Sequence, residues 1–219
     1  MKTKFSSLVK REFTLATPWQ IYLFALLGAM TLIPSYPSVV GFGYIALAIF
    51  TVDGIRRANR DLEYTIALPV ERKAVVSAKT TFIVLFELLF IVFGAVGAVL
   101  ARFLISPNGN IVGLDGNFTL FGVVLLGYGV FNFIYLGEFF KTGYKSGKAV
   151  LLGVIAFTIL YGAVECLVNF VPSLSTLLDG YGEGIVYRVI AFAVGAIAFV
   201  LLSVWANKRA QKKFERVNL

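Results

Sequence analysis

Eighteen of the twenty Lys and Arg residues fall in four hydrophilic stretches, Lys2 to Arg11, Arg56 to Lys79, Lys141 to Lys148 and Lys208 to Arg216. These alternate along the chain with three stretches that hold none: Ser35 to Ser38, Ser106 to Asn117 and Pro172 to Gly184. Six apolar segments separate the two kinds of stretch. Lys and Arg in short loops mark the cytoplasmic side of a membrane protein, because they are retained there during insertion. The pattern predicts an all-α polytopic protein: one transmembrane domain over residues 1–219, six spans, both termini cytoplasmic and a basic cytoplasmic tail over 208–219.

Composition points the same way. With 58% hydrophobic residues, 15% charged and a mean hydropathy of +0.84, a water-soluble fold would expose far more apolar surface than water tolerates, whereas a bilayer solvates it. The net charge of +8 sits almost wholly on the predicted inner face. It is assigned to orientation and attraction to anionic membrane lipids, not to nucleic acid. The single cysteine, Cys166, cannot form an internal disulfide and is expected to pack as a small hydrophobe. Histidine is absent, which removes an HExxH zinc site, a Ser/His/Asp triad and a His proton relay. The nearest approach to a phosphate loop, Thr142 to Ala149, lacks the first Gly of GxxxxGK[ST] and carries Ala where Ser or Thr must hold Mg²⁺.

Phe5, Leu8, Val9, Phe13 and Ala16 recur at helical spacing before Pro18, which predicts an amphipathic helix in the membrane interface over residues 1–18, with Trp19 and Tyr22 as interfacial anchors. No clean small-residue cleavage site follows, so a removed signal peptide is not expected. Spans one and two, near Gln20–Ile33 and Val39–Val52, are short and joined by Pro34 to Pro37. They form either a tight hairpin or a re-entrant loop buried by protein. Spans three to six run near Thr81–Ile105, Phe118–Phe140, Ala149–Val171 and Ile185–Ala206. Gly94 and Ala98, Gly97 and Ala101, and Ala191 and Gly195 stand four residues apart, the spacing that brings helix backbones close. Asn117-Phe118-Thr119 matches a glycosylation acceptor but abuts the membrane and receives no role.

Charge inside a span needs a partner, water or a proton. Glu138 falls near the inner boundary beside Lys141. Glu165 falls in the outer third, where Arg102 or Arg188 could meet it as a structural ion pair clamping helices; a pathway or proton-coupling role is the alternative. Glu87 lies on the order of 10 Å inside the inner boundary at ~1.5 Å per residue, with no cation evident at its level. It is the candidate for the substrate path, against an inter-helix hydrogen bond within one subunit.

The longest cytoplasmic connection spans residues 53–79. Ile55, Ala58, Leu62 and Ile66 form a helical stripe that Pro69 ends, and Val70 starts a new helix leading into span three. A short amphipathic helix braced between two membrane helices suits a groove on a cytoplasmic partner; a helix lying on the membrane surface has the same periodicity.

The run Arg60-Asp-Leu-Glu-Tyr-Thr-Ile-Ala-Leu-Pro-Val-Glu-Arg-Lys-Ala-Val-Val-Ser-Ala-Lys79 resembles the loop after span two in the small six-span permease subunits of bacterial ABC-2 type transporters. It departs from their pattern at Glu71, where Ser or Thr is usual. The resemblance implies a permease of the bacterial cytoplasmic membrane whose coupling helix, Asp61, Leu62, Glu63, Tyr64, Ile66 and Leu68, with Pro69, Val70 and Arg72 after it, contacts a separate cytoplasmic ABC ATPase. It implies ATP and Mg²⁺ on that partner, no cofactor and no catalytic or metal site on this chain, and a homodimer or a heterodimer with a sister permease. Members that export or give immunity to antimicrobial and amphipathic peptides, phenol-soluble modulin exporters among them, make such peptides the implied substrate class. The rival reading is an ion-coupled secondary transporter or channel titrating Glu87 and Glu165; it expects an internal repeat that the sequence does not show. A membrane enzyme is disfavoured by the missing histidines and the lack of a convergent catalytic set.

Overall fold

The computed structural model describes residues 5–14, 17–67, 70–105, 109–142, 145–182 and 184–217, apart from the side chains of Leu62, Ile66 and Ala67. Among the described residues every regular element is helical: α1 (Phe5–Thr14), α2 (Trp19–Leu32), α3 (Ser38–Ala58), α4 (Asp61–Ala67), α5 (Arg72–Ile105), α6 (Phe118–Phe139), α7 (Ser146–Phe170), α8 (Pro172–Leu178) and α9 (Ile185–Glu215). Five of them, α3, α5, α6, α7 and α9, are long and apolar enough to cross a membrane, and α1 with α2, bent by 87°, counts as a sixth if the pair is one span. The chain is a multi-pass membrane protein.

α2 changes its winding part-way along. After one α turn, α2 continues as a 3₁₀ helix over Leu23–Leu32. At the ~2.0 Å rise of a 3₁₀ helix its residues reach about 26 Å, and the bent pair of α1 and α2 is either a broken span or a re-entrant loop. Glycine lets this slender helix lie directly on α5: a Cβ on Gly28 would strike the Phe90 carbonyl, and one on Gly97 would meet the Ala29 carbonyl at 2.8 Å. Thr31 Oγ1 fastens the contact by donating to the Gly94 carbonyl at 2.8 Å.

α6 is the hub. Its span is 72% buried against 22% for α7 and α9, so those two supply the outer faces while α6 fills the middle. Gly122 of α6 touches the α9 backbone at Ala191, its would-be Cβ 2.6 Å from that carbonyl, and Gly195 closes on Gly122 in return. Against α7 the device is reciprocal: the Phe157 ring fills the notch at Gly127, and the Phe131 ring fills the notch at Gly153. The small-residue pairs seen in the sequence are used inside one chain.

Two expectations need correction. The stripe from Ile55 to Ile66 is not one helix: α3 stops at Ala58, Arg60 adopts a left-handed φ of 51°, and α4 begins at Asp61. Asn59 and Arg60 N–H groups bond the Ile55 and Arg57 carbonyls, a helix-ending turn that uses the left-handed residue to reverse the chain. Cys166 does not pack inside but is exposed on α7. Residues 208–215 of the basic C-terminal stretch continue α9 as helix.

Candidate functional site

The Lys/Arg-rich end of the bundle buries an unusual amount of charge: Glu12, Asp53, Arg56 and Lys79 are each at most 6% exposed. The elements bring them together from far apart in the sequence. α4 turns Asp61 and Thr65 inward, where the Arg11 guanidinium of α1 pairs with the Asp61 carboxylate and donates to Thr65 Oγ1 at 2.6 Å. Glu12, next along α1, meets Arg56 of α3 at 2.7 Å, off the hydrogen-bonding axis. One turn before Arg56, Asp53 pairs with Lys79 of α5 and accepts from the Tyr135 hydroxyl of α6 at 2.6 Å. Aromatic rings close the remaining sides: Arg56 lies 5.5 Å from the Phe82 ring centre and Lys79 lies 4.1 Å from that of Phe139.

These contacts form a continuous path from α4 through α1 and α3 to α5 and α6. A buried ion pair is weak evidence for stability but fixes register, because separating its members leaves charge without solvent. Arg11 ties α4 to α1, and Glu12, the next residue, ties α1 to α3 through Arg56. α1 is also keyed into α5 by Phe13, whose ring meets Phe82 edge-on at 5.0 Å.

The outward side of α4 is different. Glu63 and Tyr64 point away from the bundle, Tyr64 being 71% exposed. Of the other residues expected in this contact, Leu68 and Pro69, with the side chains of Leu62 and Ile66, lie outside the described residues; Val70 is half-buried. Arg72 binds the end of α9, donating to the Val217 carbonyl at 2.9 Å with its guanidinium 5.7 Å from the Phe214 ring.

Glu87 is closed off inside this chain. It is fully buried between α5, α6 and α9, accepting from Asn132 Nδ2 at 2.8 Å, while the same amide nitrogen donates to Ser203 Oγ at 3.2 Å. Glu87 Oε1 and Asn132 Oδ1 have no partner. This is a hydrogen bond within one subunit. Glu138 is met by Lys213 of α9 at 3.4 Å rather than by Lys141.

The clamp expected at the opposite end does not form among the described residues. Arg188 donates to the Gly180 and Gly182 carbonyls, Arg102 lies 4.0 Å from the Tyr181 ring, and Glu165 pairs with neither. Asn117 is the organiser there: its side-chain oxygen caps α6 by accepting from Thr119 and Leu120 N–H groups, and its amide donates to the Leu178 and Gly180 carbonyls. Burial holds the neighbouring Asp115 carboxyl above the usual carboxylate range. Among the described residues no cluster of Cys, Asp or Glu could hold a metal ion.

A bundle of membrane helices, with a short helix beside it tied by ion pairs to the core, defines the class of an all-helical multi-pass membrane protein. The chain belongs to the ABC-2 family transporter proteins, whose family model matches residues 7–209. Membership implies an ABC ATPase as partner. No curated protein and no solved structure matches the chain.

The sequence reading missed Glu12, Asp53, Arg56, Lys79 and Tyr135. The available signal was Asp53, a carboxylate at the inner end of an apolar segment, which needs a partner as much as Glu87 does.

Proposed function

We propose that the chain is the membrane-spanning permease subunit of an ATP-driven ABC-2 type exporter, with its Lys/Arg-rich face in the cytoplasm and α4 seated on a separate ABC ATPase. The observation that carries this reading is the asymmetry of α4. Asp61 and Thr65 are fastened inward to Arg11, while Glu63 and Tyr64 face outward. A helix held this way can receive a push on one side and deliver it on the other through Glu12, Arg56, Asp53 and Lys79. ATP and Mg²⁺ belong to the partner, and this chain binds no cofactor. One chain presents one α4 and a composite ATP site takes two ATPases, so the working unit is a homodimer or a heterodimer with a sister permease. Amphipathic or antimicrobial peptides are the proposed cargo. An apolar groove of 440 Å³ between α5, α6 and α9, lined by Val99, Phe118 and Phe192 among others, supports that class. The ion-coupled alternative has no contact joining Glu87 to Glu165 in its favour.

Co-expression with the cognate ABC ATPase tests the reading. Glu63→Lys combined with Tyr64→Ala is expected to abolish co-purification while the permease still inserts. Arg11→Ala is expected to keep the complex but to lose export, because the inward tether is cut. Full recovery of the ATPase with the Glu63/Tyr64 double variant would sink the assignment of α4.

A further inference from the structure

The basic end of α9 does more than set orientation. Lys73 of α5, Lys208, Arg209, Lys212 and Lys213 of α9 and Arg216 just past its end surround one open depression of 680 Å³, with Glu215 the one carboxylate among the described residues of its wall. Two of these cations are matched, Lys73 by Glu215 at 3.2 Å and Lys213 by Glu138 at 3.4 Å. The other four meet no carboxylate among the described residues, and Arg209 rests on the Phe133 ring at 4.5 Å. Lys208, Lys212 and Arg216 stand four residues apart on one helical face, where like charges repel. The helix C-terminus offsets part of that repulsion, and an anion held among the three would offset more.

The same face leads straight into the membrane. Ile197, Leu201 and Trp205 are all exposed, each four residues from the last, and Lys208 and Lys212 follow in the same line. Trp205 is 59% exposed at the junction, the height at which tryptophan marks a membrane–water boundary. An occupant that uses the whole surface needs an anionic head at Lys208, Lys212 and Arg216 and an apolar tail along Trp205, Leu201 and Ile197. From this we infer that the cleft between the ends of α5 and α9 is a binding site for the phosphate group of an anionic phospholipid. The site is separate from α4 and does not depend on the ATPase assignment.

The test uses the full chain purified in neutral detergent, titrated with short-chain phosphatidylglycerol, short-chain phosphatidylcholine or inorganic phosphate at matched ionic strength, with the unfolding midpoint as readout. Phosphatidylglycerol is expected to raise the midpoint, phosphatidylcholine to leave it unchanged, and phosphate to need a concentration roughly tenfold or more higher, since it gains only the charge contacts. In Lys208→Ala/Lys212→Ala/Arg216→Ala the unliganded midpoint is expected to hold while half-saturation by phosphatidylglycerol weakens roughly tenfold or more. Lys208→Arg/Lys212→Arg is expected to keep the response. Equal stabilisation by phosphatidylcholine, or an unchanged response in the triple alanine variant, would overturn the site. Inorganic phosphate as potent as the lipid would overturn the amphiphile. A triple variant that loses the ATPase yet keeps its lipid response would assign the face to a protein partner instead.

Discussion

Asp53 and Lys79 show how a buried pair constrains a membrane protein without adding much stability. Removing one member leaves a charge with nowhere to go, at a cost of about 3–5 kcal/mol, whereas replacing both with apolar side chains of similar size is close to neutral. Asp53→Leu is therefore expected to lower the unfolding midpoint in detergent sharply, and Asp53→Leu/Lys79→Met to restore most of it; the double variant should export poorly, because the register between α3 and α5 is no longer specified. Glu87 gives the opposite expectation. The amide of Glu87→Gln keeps the side chain's shape and the acceptor that Asn132 Nδ2 uses. That variant should be at least as stable as the wild type, while Glu87→Leu strips Asn132 of an acceptor and should cost about 1–3 kcal/mol. A clear loss of stability in Glu87→Gln would mean that a cation or water occupies the gap.

At the scale of elements, the crossing of α6 and α9 is set by missing side chains. A Cβ on Gly195 would strike the Gly122 backbone, which cannot yield, whereas one on Gly162 would meet nothing within 4 Å. Gly195→Val should abolish folded protein in the membrane and Gly162→Ala should be tolerated, as size-exclusion profiles of the two variants will show. The α3–α4 turn carries its own strain, since Arg60 occupies a left-handed conformation that costs a side-chain-bearing residue about 1–2 kcal/mol. Arg60→Gly should raise the unfolding midpoint unless the exposed arginine is itself needed by the partner.

For the whole molecule, the proposed orientation predicts which positions a membrane-impermeant thiol reagent reaches. The structure selects exposed sites for this: Ser35 and Ile111 at one end, Gly147 and Lys212 at the other; Ser146, only 2% exposed, is unsuitable. In a Cys166→Ser background, cysteines at 35 and 111 should label in intact cells and those at 147 and 212 only after permeabilisation. The reverse pattern would invert the topology and place α4 out of reach of any ATPase.

The sequence by itself determined that the chain crosses a membrane several times, where most of its spans lie and how its charges alternate. The reason is that transfer into a bilayer is summed over one local segment and does not depend on what that segment touches. Length alone did not show that α2 is drawn out into 3₁₀ winding. Only the tertiary structure decided which charges meet: Asp53 with Lys79 across 26 residues and Arg11 with Asp61 across 50. It also turned Glu87 into the bundle and set Arg188 on the Gly180 and Gly182 carbonyls instead of on Glu165. Such pairings follow from how each helix is rotated about its axis and how closely its neighbours approach, and those are set by glycine notches and aromatic rings on segments distant in the chain.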